Sequence, residues 1–121
     1  MLFLLIAGYF AFALDNQKEI TDGLKFGNAK KMSTYFDNSV DITFSQHTST
    51  YSKRQAEIIL QKFFSKVEPN GFYNQRSGIS HYNKSLFIIG NLTTSGGEYK
   101  VYMLLIEKSG EYFLREIRFE K

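Results

Sequence analysis

Residues 96–121 read GGEYKVYMLLIEKSGEYFLREIRFEK, and one strand inside this stretch carries apolar side chains on both faces. Side chains alternate along a strand, so Tyr99, Val101, Met103 and Leu105 share one face, and Tyr102, Leu104 and Ile106 the other. In an antiparallel sheet one face is ordinarily wet. Two apolar faces therefore ask for two covers, and what provides the second bears on both fold and function.

Outward from this strand, turn residues mark off its neighbours. Asn83-Lys84, Ser95-Gly96-Gly97 and Ser109-Gly110 separate a polar strand from Phe72 to about Tyr82, then Leu86–Thr94, Glu98–Lys108 and Glu111–Glu120. Upstream, YSKRQAEIILQKFFSKV (residues 51–67) reads as a helix. Ser52 and Gln55 form a capping box, and Ala56, Ile59, Leu60, Phe63, Phe64 and Val67 make one apolar stripe. Pro69, the only proline, stops it. NSVDITFSQ (38–46) alternates, with Val40, Ile42 and Phe44 opposite Asp41, Thr43 and Ser45, which predicts a strand. Residues 16–36 carry apolar side chains at helical spacing, interrupted at Gly27-Asn28, which predicts two short helices with a corner. Helices first and an antiparallel meander last is an α+β arrangement.

The chain has 121 residues, enough for one domain and one core. Lys and Arg number 15 against 12 Asp and Glu, interleaved along the sequence, with no basic block longer than the pairs Lys30-Lys31 and Lys53-Arg54. Nucleic-acid binding, which gathers cations on one face, is not expected. Cysteine is absent, which removes thiolate nucleophiles, disulfides and sulfur-ligated zinc.

MLFLLIAGYFAFALD (1–15) holds an apolar run from Leu2 to Leu14, short of the roughly 20 residues of a spanning helix. It fits a secretory signal, with Ala11-Phe12-Ala13 as the small-x-small cleavage site, although no Lys or Arg precedes the run. The expectation is a leader over 1–13, a domain over 14–121, and a periplasmic or secreted protein with no stable membrane anchor after cleavage.

GNAKKMSTYF (27–36), YSKRQAEIILQKFF (51–64), GNLTT (90–94) and YKVYMLL (99–105) resemble the blocks of an exported bacterial family, domain of unknown function 4783. The element order is similar to the nuclear-transport-factor-2-like (cystatin-like cone) superfamily. That resemblance implies helices in the concave face of a strongly curved antiparallel sheet. It also implies a homodimer joined sheet to sheet, with Tyr102, Leu104 and Ile106 at the interface, closure of that face by the chain's own loops being the alternative.

Enzymes of this cone shape use an Asp or His base with Tyr or Asp donors in the mouth. Strand phase leaves few such groups facing inward. On the last strand Phe113, Ile117 and Phe119 are expected to share a face with Arg115, opposite Glu116, Arg118 and Glu120. Arg115 is then an anion anchor in a pocket or an edge ion pair, and the ion pair is favoured. His47, in the polar turn SQHTSTYS (45–52), and His81 read as surface residues, since zinc wants three or four convergent donors. No catalytic residue, metal or cofactor is expected. Asn83-Lys84-Ser85 and Asn91-Leu92-Thr93 match the glycosylation triplet by chance. Tyrosines at 35, 51, 73, 82, 99 and 102 suit a pocket with apolar walls and few hydrogen bonds. Tyr35, Tyr51, Phe63 and Arg115 are the expected lining for a small apolar ligand. The reading is a non-enzymatic binding or scaffold domain, with an isomerase- or dehydratase-like enzyme as the alternative.

Overall fold

The computed structural model describes residues 16–121, so the expected leader and its cleavage after Ala13 lie outside the described residues. Helix α1 covers 16–26 and α2 covers Ala29–Ser33. The corner between them falls at Gly27, whose φ of 65° favours glycine, and the Asn28 side chain caps α2 by accepting from the Lys31 backbone N–H. Strand β1 (Phe36–Phe44) follows, then β2 (His47–Ser52), α3 (Lys53–Val67), β3 (Pro69–Ser80), β4 (Ser85–Thr94), β5 (Gly97–Lys108) and β6 (Glu111–Glu120).

Helix α3 forms as its sequence dictates. The Ser52 hydroxyl accepts from the Gln55 backbone N–H, and the Gln55 side chain accepts from the Ser52 N–H. Both donors would otherwise lack partners at a helix start. At the other end Glu68 turns left-handed (φ 54°) and its N–H donates to the Phe64 carbonyl at 2.8 Å. Pro69 then opens β3, a strand start being one of the few sheet positions proline tolerates.

The six strands form one sheet in the order β2-β1-β6-β5-β4-β3. Four of the five pairings are antiparallel as expected, and the fifth, β1 with β6, is parallel. The sheet is therefore mixed. Register breaks in β1, β3 and β6 mark β-bulges, which bend strands and curve a sheet. Helices lie on the concave side. Ile20 and Leu24 of α1, Met32 of α2 and Leu60 and Phe64 of α3 join Val40, Ile42, Ile88, Leu92, Val101, Met103, Leu105, Ile117 and Phe119 in one core. Fully burying each such side chain is worth roughly 1.5–3 kcal/mol. Gly90, opposite Val101 on the core face, has no room for a side chain, because the Phe72 ring and the Tyr73 carbonyl fill the space a Cβ would need.

Three sequence expectations change. Phe36 heads β1 instead of ending a helix. The stretch around His47 is a strand, β2, whose backbone pairs with β1 and whose Thr48 and Thr50 hydroxyls bond Thr43 and Asp41. On β6 the alternation slips by one residue. Leu104 faces Glu116 but Leu105 faces Leu114, so Arg115 is the extra residue of a bulge. Leu114 takes the core position, and Phe113 lies on the outer face opposite Ile106.

Candidate functional site

The concave side carries little ionisable chemistry. Among the described residues Asp37 is the only buried carboxylate, its side chain 3 % exposed. It sits near the start of β1, where the bulge re-aims Arg115. One carboxylate oxygen accepts from the Arg115 guanidinium at 2.8 Å; the other accepts from the Lys108 ammonium and the Asn38 backbone N–H. Burial alone would raise the Asp37 pKa, but the bonds from Lys108, Asn38 and Arg115 outweigh it and hold the group below its ordinary value. A carboxylate so stabilised is a poor general base. Both cations remain about half exposed, so this is an ion-paired clasp between β1, β5 and β6.

Of the other expected pocket residues, Tyr35 lies near Arg115 and Phe63 stands well apart from it. Phe63 belongs to a ring cluster with Phe119 (centroids 4.7 Å), Phe44 (4.9 Å) and Tyr99 (5.4 Å). Phe44 and Asp37 lie at opposite ends of β1, seven residues or roughly 20 Å apart. Tyr51 is half-buried opposite Val40 in the β1–β2 ladder. Tyr35 is half-buried as well, and its carbonyl accepts from the Leu114 N–H. His47 and His81 are exposed, and no cluster of three or more metal-ligating side chains occurs among the described residues.

The outer face of the sheet is richer. Opposite pairs Ile106–Phe113, Leu104–Phe87 and Tyr102–Ile89 place six half-buried apolar side chains side by side on β4, β5 and β6. They shield one another sideways and leave their tops open. A groove of about 200 Å³ runs beside them, lined by Ile89, Lys100, Tyr102, Arg118 and Glu120. The Arg118 guanidinium lies 4.9 Å from the Tyr102 ring centroid, a cation–π contact, and also pairs with Glu116. Lys100 stands opposite Glu120. Two cations and two carboxylates thus border the apolar patch. A second groove of about 230 Å³ lies between α1 and β3, with Phe72 and Asn74 facing Gln17, Thr21, Asp22 and Lys25. Neither groove is lined by Tyr35, Tyr51, Phe63 or Arg115.

With this geometry in place, the sequence pattern of the domain of unknown function DUF4783 matches residues 17–120. The chain belongs to the DUF4783 family. Solved DUF4783 structures from Bacteroides ovatus and Bacteroides uniformis are similar to it. The first is 27% identical over 85% of this chain and 92% of that one, with a TM-score of 0.81. The second is 26% identical over 86% and 94%, with a TM-score of 0.80. A nuclear-transport-factor-2-like protein of unknown function from Cytophaga hutchinsonii shares 9% identity over 88% and 87%, at a TM-score of 0.63, and so speaks to fold alone. No curated protein matches the chain. This DUF4783 protein therefore has a nuclear-transport-factor-2-like α+β fold. What the sequence did not reveal is the Asp37 clasp and the Arg118–Tyr102 stack, whose partners are brought together by sheet register.

Proposed function

We propose that this DUF4783 protein is an exported, non-catalytic interaction domain that works as a homodimer through the outer face of its sheet. The observation that supports this is the contrast between its two sides. The concave side is occupied by its own helices, and the only buried carboxylate among the described residues, Asp37, is held ionised by two cations. The outer side presents Tyr102, Leu104 and Ile106 together with Phe87, Ile89 and Phe113. Aligned apolar side chains of this kind mark interaction sites. The border of Lys100, Arg118, Glu116 and Glu120 is balanced in charge, which suits two-fold pairing, where the same patch meets itself. The outer groove, at about 200 Å³, is smaller than the roughly 300–1,000 Å³ of ligand pockets, which favours a protein surface over a small apolar ligand.

Export rests on the apolar run Leu2–Leu14 and the Ala11-Phe12-Ala13 triplet. N-terminal sequencing of protein recovered outside the cytoplasm should read from Leu14. Light scattering at micromolar concentration should give twice the chain mass. Leu104→Lys combined with Ile106→Lys should give a folded monomer by circular dichroism. A wild-type monomer would sink the dimer.

A further inference from the structure

The two edges of the sheet are built differently. Edge β2 is six residues long, its Thr48 and Thr50 tied to β1 by hydroxyl bonds. Edge β3 is twelve residues long, and every residue from Tyr73 to Ser77 is exposed, with α1 facing only Asn74 of this stretch, across the second groove. Of the five exposed large hydrophobic residues among the described ones, three lie on β3 or the turn after it: Tyr73 at 70%, Ile79 at 59% and Tyr82 at 100%. The charge is one-sided too. From Pro69 to Gly97 the sequence holds no Asp or Glu, but it holds Arg76, His81 and Lys84, all exposed. Neither Arg76 nor Lys84 forms an ion pair among the described residues.

We infer that β3 receives an extended acidic polypeptide segment as an added strand, on a surface separate from the outer-face patch. An edge strand points alternate N–H and C=O groups away from its sheet, and a partner strand satisfies them. Its side chains then fall beside those of β3 on both faces. Tyr73 and Arg76 share the outer face, opposite Asn91 and Ile89, and Ile79 lies on the concave face, opposite Leu86. Acidic side chains match Arg76 and Lys84, and apolar ones match Tyr73 and Ile79. Tyr73 and Ile79 are roughly 20 Å apart along the strand and point to opposite faces, which suits a linear partner better than the plane of a membrane. A second copy fits poorly, because pairing β3 with itself about its midpoint, between Asn74 and Gln75, puts two Arg76 side chains on one short ladder and supplies no carboxylate from either strand.

The test uses the full chain and a labelled peptide of about twelve residues alternating Glu and Val, with a Lys/Val peptide and vesicles of phosphatidylcholine and phosphatidylglycerol as comparators. The Glu/Val peptide should bind by fluorescence anisotropy, and the Lys/Val peptide should not. Hydrogen exchange should slow at β3 amides and stay unchanged at β2. Arg76→Glu with Lys84→Glu, checked for folding by circular dichroism, should weaken Glu/Val binding by about tenfold or more. Vesicle binding without peptide binding, peptide binding without β3 protection, or β3 protection by self-association alone would each overturn the inference.

Discussion

On β5, Val101, Met103 and Leu105 have no exposure to solvent, while Tyr102, Leu104 and Ile106, one residue out of phase, stay half-buried. The residue types are nearly the same. Their covers differ. The inner set meets α1, α2 and α3, which close over it from above, whereas the outer set meets only its neighbours across β4 and β6. Lateral contact hides the flanks of a side chain and leaves its end open. Alternation in a sequence therefore says which residues share a face, but the burial of that face depends on what else the chain brings there.

The strongest way to break this comparison is to truncate both sides. Leu105→Ala should lose about 3 kcal/mol of unfolding free energy in urea titrations, since it leaves a cavity that packed helices cannot refill. Leu104→Ala should lose about 1 kcal/mol in the isolated chain, its end being already wet. Equal losses at low protein concentration would dissolve the distinction. If the outer face is covered by a second copy, the Leu104 loss should grow with protein concentration, because association stabilises the folded state by mass action.

Asp37→Ala comes next, with an expected loss of about 2 kcal/mol, because it strands Lys108 and Arg115 beside a site they occupy only to meet that carboxylate. The cost stays moderate since both cations reach water. The same clasp sets a pH dependence. The folded pKa of Asp37 lies below its ordinary 3.8, so its contribution is complete above that value and is lost as pH falls through the lower folded value. Acid unfolding curves of Asp37→Asn should lack this component. An effect as small as that of Leu104→Ala is expected at Ser52→Ala, which removes a cap from α3, the helix lying over the inner side. It should cost about 1 kcal/mol and leave oligomeric state unchanged.

How much of this was legible depended on whether the cause was local. Helix α3 and strands β4 and β5 could be read because the apolar period, the capping box and the turn residues all lie within a few positions of one another. Strand β2 could not, since HTSTYS is exposed on nearly every side and offers no alternation. The bulge at Arg115 left one trace, a spacing of three between Leu114 and Ile117 where a regular strand would have two or four. The parallel pairing of β1 with β6 left none. The Asp37 clasp was hidden for a different reason: its partners are 71 and 78 positions away, and only sheet register brings them together.

Strand β6 lies between β1 and β5, although it is the last strand in the chain. A ribosome delivers it after everything it joins. Until Glu120 has emerged, β2 and β1 have no strand pairing to the β3–β4–β5 meander, and the core beneath the helices lacks Leu114, Ile117 and Phe119. Closing the sheet is therefore a late, long-range step, the kind of contact that slows folding and leaves strand edges open until it is made.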